Sequence, residues 1–295
     1  MPGFDRVVVA DWSAAGQPSP ARPSADAIWI GQVAADGEAL RYCRTRAEAG
    51  GVLADLLDAA QRAGQRVLLG FDFPLGYPAG FATRLTGQAR AAAVWAWLAG
   101  QIRDGADNRN NRFEVAAGIN RAMGAGAVGE GPGGPFWGRP AGLDLPDLPA
   151  RKTVDYARLG LTERRGVEQA VPRAQPVWKL YTTGSVGSQA LMGLPLVHRL
   201  AARAGVAVWP FDAAAAAAPV VLAEVYPSLL DPLVAQAGGI KDAAQVRLLA
   251  RALWRLGQAG RLGGLFAGAG AGASEEGWIL GAGQGSALMA AAGDG

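Results

Sequence analysis

The 295-residue sequence holds one cysteine, Cys43, and one histidine, His198. A lone thiol excludes a disulfide framework and any cysteine-caged zinc, because both need several thiols at fixed spacings, and it points to a reducing cytoplasm. A lone imidazole excludes a multi-histidine zinc centre and obliges any Ser-His-Asp triad to use His198. That residue lies in LPLVHRLAARAG, an amphipathic helical pattern in which a surface or packing role is the simpler reading. Charge is scarce too. Charged residues make up 18% of the chain and the formal net charge is +3, which permits an anionic ligand without marking a nucleic-acid binder. The N-terminus lacks a basic stretch followed by a long apolar run. The most apolar later stretch, Ala213 to Val225, is interrupted by Pro219 and Glu224 and falls short of the roughly 20 residues of a membrane helix. Neither a signal peptide nor a membrane span is expected.

What is present in quantity is apolar material, 50% of the residues, enough for a substantial core. The run Arg6 to Asp11, RVVVAD, reads as a buried strand entering a Ser/Gly/Pro-rich loop that extends to Ser24. Ala27 to Val33 and Ala39 to Arg44 flank an Asp36-Gly37 turn and complete a three-strand meander. Apolar spacing at Val52, Leu53, Leu56, Leu57 and Ala60 predicts a helix over Ala47 to Gly64, and Gln65 to Phe73 predicts another strand. From about Gly80 to Val186 the pattern loosens into a tryptophan-rich helix, Gln88 to Gln101, a short helix and a Gly/Pro-rich stretch, Gly124 to Pro149. With little periodic apolar material of its own, this region reads as an insertion within a single domain. A helix around His198, strands Val206 to Phe211 and Val220 to Tyr226, and a helix from Asp242 to about Arg261 follow. The order β-β-β-α-β, then helix, strand and helix, predicts an α/β fold: a mixed sheet with helices on both faces, in the ribonuclease H-like order.

Without imidazoles, chemistry falls to carboxylates, hydroxyls, Lys/Arg and backbone amides, and carboxylates alone suit hard cations such as magnesium or manganese. Asp11 and Asp72 each end an apolar strand, and a helical crossover between those strands makes them parallel, with both carboxylates at one sheet edge. Glu224 sits in a third strand, VVLAEVYPS, where an unpaired acid costs desolvation. Asp242 opens the last long helix. Four such acids are a candidate catalytic set for one or two magnesium or manganese ions. The plainer alternatives are turn initiation for Asp11 and Asp72, a paired buried acid for Glu224, and a helix N-cap for Asp242.

Three segments offer anion contacts. Lys179-Leu-Tyr-Thr-Thr-Gly184-Ser185-Val-Gly187-Ser188-Gln189 has the glycines, hydroxyls and amides of a phosphate cradle. It lacks the Walker pattern and is equally a loop-to-helix turn capped by Ser188. Arg164 and Arg165, near Arg151, Lys152 and Arg173, make a locally basic stretch able to fork onto phosphate or simply to face solvent. The Asn108 to Phe113 loop, with Asn111 and Arg112, reads as a base or phosphate contact against the ordinary use of Asn in turns. Trp12 and the Phe136-Trp137 pair are candidate stacking platforms.

The segments VVVADWSAAG, GFDFPLGYP, NRNNRFEVAAGIN, GPFWGRP, RRGVEQ, VWKLYTTGSVGSQALMGLP, WPFD, AEVYPS and EEGWILG resemble the bacterial domain-of-unknown-function 429 family, a ribonuclease H-like group described as predicted nucleases. The resemblance spans nearly the whole chain. It implies Asp11, Asp72 and Glu224 as metal ligands, with Asp242 a looser match. An acid in the first crossover helix, as in ribonuclease H, has no single counterpart among Glu48, Asp55 and Asp58. The expected function is a magnesium- or manganese-dependent phosphodiester hydrolase acting on a phosphate-containing ligand, nucleotide or nucleic acid. The alternative is a non-hydrolytic nucleotide or cofactor binder, in line with relatives labelled molybdopterin-guanine dinucleotide or cobalamin biosynthesis proteins.

Overall fold

Val7, Val8, Val9 and Ala10 are all sealed from solvent, so β1 (Arg6–Asp11) is apolar on both faces, the pattern of a central strand. A computed structural model describes residues 3–124, 133–171 and 173–293. After β1 come β2 (Ile28–Ala34), β3 (Gly37–Cys43), α1 (Arg46–Arg62), β4 (Val67–Phe71), α2 (Phe81–Thr86), α3 (Ala91–Gln101), α4 (Arg112–Gly124), α5 (Gly166–Ala170) and α6 (Val186–Ala201). The chain continues through β5 (Val206–Trp209), β6 (Val220–Glu224), α7 (Asp231–Ala237), α8 (Lys241–Gln258), α9 (Gly263–Phe266), α10 (Ala273–Glu276) and α11 (Gly285–Gly293). One six-stranded sheet has the order β3-β2-β1-β4-β6-β5. The β1-β2 and β2-β3 pairs are antiparallel, whereas β4 runs parallel to β1, and β6 and β5 run parallel to β4. The fold is α/β with a mixed sheet.

Strand alternation divides the core into two layers. Val8, Ala10, Leu69, Phe71, Val220 and Leu222 point to the side of α1, α3 and α6, where Leu53, Leu57, Trp95 and Leu194 meet them. Val7, Val9, Leu68, Val221 and Ala223 point to the other side, against Val246, Leu249 and Leu253 of α8. The 80–186 region contributes Phe81, Phe136 and Trp178, whose rings and that of Tyr77 lie 4.5–6.1 Å apart. These rings join the same buried layer as Phe71 and Phe73. Part of the expected Gly/Pro-rich stretch falls outside the described residues. The tryptophan-rich helix starts at Ala91 rather than Gln88, because Gly87 closes α2 in a left-handed conformation, φ +75°. Among the described residues no helix is long and apolar enough to cross a membrane.

One glycine sets the geometry that matters most below. A Cβ on Gly31 would lie 2.8 Å from the Val246 carbonyl group, so only glycine lets α8 settle this close to β2. Gly31 pairs with Val9, and Trp29 with Asp11. The first turn of α8 is thereby brought over the C-terminal end of β1.

Candidate metal and phosphate site

The parallel register aligns Ala10 with Phe71, so the next residues, Asp11 and Asp72, emerge side by side at the C-terminal edge of the sheet. Asp11 alternates with Val7 and Val9, and Asp72 with Leu68 and Gly70, which turns both carboxyls toward the α8 layer. The two carboxyls are near enough for each to act on the other's ionisation. Asp72 Oδ1 also accepts the Trp12 N–H at 2.8 Å, and the Asp72 N–H donates to the Ala10 carbonyl at 3.2 Å. Asp242, in the first turn of α8, completes the group. Its Oδ2 accepts the Asp26 N–H at 2.7 Å, and the N-cap of α8 is Ile240 rather than Asp242. The expected capping role is thus replaced by a tether between α8 and the loop that follows β1.

Burial and like charge dominate the electrostatics. Burial pushes Asp11 well above the usual carboxylate range, and the charges of Asp72, Asp242 and Asp26 push it further. Burial lifts Asp72 to about 7 against the Trp12 N–H and the neighbouring Asp11 carboxyl, with Asp242 adding to the rise. Asp242 is raised as well, by burial first, while the Asp26 N–H opposes. Asp11 and Asp72 therefore titrate as one interacting pair, both held above the usual carboxylate range.

The donor set is hard oxygen only, with no imidazole or thiolate. No group of three or more acids, histidines or cysteines is spaced to enclose an ion by itself among the described residues. Zinc and an all-protein calcium cage do not fit. An ion of the magnesium type, which takes one or two carboxylates and fills its shell with water and phosphate oxygens, does fit Asp11 and Asp72.

Glu224 belongs elsewhere, which corrects its place among the four acids. It alternates with Val220 and Leu222, on the face opposite to Val7 and Val9. There its carboxylate takes both terminal nitrogens of Arg165, at 2.7 and 2.8 Å, and the Leu75 N–H at 3.0 Å. Arg165 Nε donates to Glu168 at 2.8 Å, and Nη1 also reaches the Glu276 carbonyl at 3.0 Å. Arg165, Glu168 and Glu224 are 1%, 0% and 3% exposed, so Arg165 is a structural ion-pair partner with no path to a ligand. Burial opposes its charge, yet the two glutamates outweigh burial and raise its pKa. Burial pushes Glu168 up despite Arg165. Arg164 is also committed, its Nη1 donating to the Glu168 and Ala174 carbonyls at 3.2 and 2.9 Å.

The glycine-rich segment lies at the same sheet end as the acids, because Gln189 Nε2 donates to the Trp12 carbonyl. It is not an open cradle. The Ser185 N–H bonds the Thr182 carbonyl and the Gly187 N–H bonds the Lys179 carbonyl. A Cβ on Gly187 would fall 2.3 Å from the Val177 oxygen, so that glycine serves chain packing. Ser188 does not cap α6; the N-cap is Ser185, and the buried Ser188 hydroxyl donates to the Leu180 carbonyl at 2.6 Å. Gly184, exposed at φ +74°, and Lys179, whose Nζ donates to the Thr183 carbonyl at 2.7 Å, remain at the surface of the loop.

Asn111 is likewise a turn residue, accepting the Arg103 N–H at 2.8 Å and donating to the Gln101 carbonyl at 3.0 Å. Trp12 packs against Phe71 and Phe73 and is buried, as is Phe136, so neither offers a stacking face. No family model, curated protein or solved structure matches the chain.

Sequence reasoning missed Arg46. Buried at 3% exposure, it forks onto Asp104 through two 2.7 Å bonds, donates to the Ser13 and Ala15 carbonyls at 3.0 and 2.8 Å, and reaches the Asn108 carbonyl at 2.9 Å. It thereby holds the loop that leaves Asp11. Its only local signal is a place in the first turn of α1, which does not foretell partners 31 to 62 residues away. Asp26, one of several polar residues in an exposed loop, carried no signal either.

Proposed function

We propose that the chain is a magnesium- or manganese-dependent phosphodiester hydrolase of the nuclease type, with Asp11, Asp72 and Asp242 as its working acids. The observation that carries this is the meeting of Asp11 and Asp72 at the ends of adjacent parallel strands, with Asp242 brought to them by α8. Three crowded carboxylates held at raised pKa are a costly arrangement that a divalent cation relieves. An antiparallel meander, a helical crossover and a fourth strand parallel to the first support a ribonuclease H-like assignment of the fold. When bound by Asp11 and Asp72, the cation would polarise a phosphoryl oxygen and make a nearby water more acidic. The Trp12 amide fixes the Asp72 carboxylate in place. Asp242, tethered by the Asp26 amide and raised in pKa, is the group assigned to take the proton from attacking water.

With Glu224 committed to Arg165, Asp11 and Asp72 suit one ion whose shell the substrate phosphate completes, rather than two ions. That smaller count is also what favours a second reading, a non-hydrolytic nucleotide or cofactor binder, since one or two carboxylates suffice when the ligand brings its own phosphates. Incubation with single-stranded RNA, single-stranded DNA and a dinucleotide, with magnesium or manganese, separates the two. Metal-dependent cleavage that disappears in Asp72→Asn supports the hydrolase. Tight nucleotide binding with every substrate intact after long incubation replaces it by the binder.

A further inference from the structure

Arg112, at this end of the sheet, is held by neutral partners alone. Its Nε donates to the Ser188 hydroxyl at 3.0 Å and its Nη1 to the Asn110 side-chain oxygen at 2.7 Å, and its plane lies over the Phe113 ring at 4.2 Å. Among the described residues no carboxylate is within ion-pair distance of it, and Nη2 has no acceptor. Asp104, one of the acids that acts on it from farther away, is spent on Arg46, and the other, Glu114, is exposed. The Asn108 carbonyl accepts from both Arg46 and Asn110, which links the two guanidiniums through one short path. Burial and the Arg46 charge pull Arg112 down to about 10. A partly buried, orientationally fixed guanidinium without a counter-ion is costly to keep, and a bound anion removes that cost.

Arg112 reaches the sheet end that carries the acids from the α6 side, whereas their carboxyls turn to the α8 side. Ser188, which holds Nε, precedes Gln189, which donates to the Trp12 carbonyl, while the Trp12 N–H holds Asp72. Lys179, on the flank of the same turn, is a second cation whose hydrogen bond goes to a backbone carbonyl. We propose that Arg112 forms a second anion subsite, built to receive a phosphate flanking the phosphodiester that sits at Asp11 and Asp72, so that the preferred substrate is a nucleotide chain with at least two phosphates. This rests on the phosphodiester reading of the acid site. Arg112 there is a binding and positioning residue, fixing the chain through Nη2 while the acids act on the neighbouring link.

The probes are a thymidine dinucleotide with and without a 5′-phosphate, and the readout is equilibrium binding beside manganese titration. The native chain should bind the 5′-phosphorylated form about tenfold more tightly, the scale of one charge-assisted contact. Arg112→Gln should erase that preference while manganese affinity stays as it was, and Arg112→Lys should keep part of it. Equal binding of the two dinucleotides by the native chain overturns the subsite without recourse to any variant, as does binding of neither at millimolar concentration. A preference that survives in Arg112→Gln overturns it too. If neither dinucleotide is cleaved yet the preference is present and is lost in Arg112→Gln, the hydrolase fails and the subsite stands.

Discussion

Asp11 and Asp72 show how a residue's surroundings set what it can do. Their pKa values are raised in the folded chain, so the folded state binds more protons than the unfolded one and stability falls as pH rises from the ordinary carboxylate range toward about 7. The metal-free chain should therefore melt at higher temperature near pH 5 than near pH 8. Magnesium or manganese should stabilise it more at the higher pH, where the pair is ionised. Asp72→Asn should flatten this dependence, and thermal melts across that range check it. A metal-free chain that grows more stable from pH 5 to pH 8 would contradict the raised pair. Glu224 makes the opposite case. Glu224→Gln removes one partner of a buried charge network and should cost about 3 kcal/mol in urea unfolding, while manganese affinity stays unchanged because the residue faces the other layer. All three acids were legible in sequence as costly apolar-strand carboxylates. Their faces were not: a shift of one residue in strand parity moves an acid to the opposite layer, and the partner of Glu224 lies 59 residues away.

Among the elements, α8 is the one whose placement makes the site. Gly31 gives it room, and a Cβ there meets main chain rather than a flexible side chain. Gly31→Val should thus destabilise the chain by about 1–3 kcal/mol and weaken manganese binding as Asp242 is displaced, both measurable on one purified variant by unfolding and titration. Gly187→Val should lose stability for the same kind of reason, against the Val177 and Lys179 carbonyls, whereas a phosphate cradle would lose ligand affinity alone. The strands were readable because β-branched runs such as VVVA have no competing helical pattern, and α8 because its apolar positions keep helical spacing. The glycines were ambiguous in sequence. Glycine serves a ligand and a close main-chain crossing equally well, and only the crossing carbonyl decides between them.

At the scale of the whole molecule, the parallel β1-β4 pair sets Asp11 and Asp72 side by side at one sheet edge, and α8 brings Asp242 to them from the far end of the chain. The meander and crossover that create this edge were legible from element order. The packing of residues 80–186 onto the sheet was not, because the Tyr77 and Phe81, Phe136 and Trp178 rings come from three separate stretches without a common period. Manganese titration by calorimetry tests the gathered acids most directly. The native chain should bind manganese, and Asp11→Asn should lose at least about tenfold in affinity, the cost expected for a direct carboxylate ligand, while its fold by circular dichroism is unchanged. Equal manganese affinity in a folded Asp11→Asn variant, or no binding by the native chain, would contradict a metal site at Asp11 and Asp72.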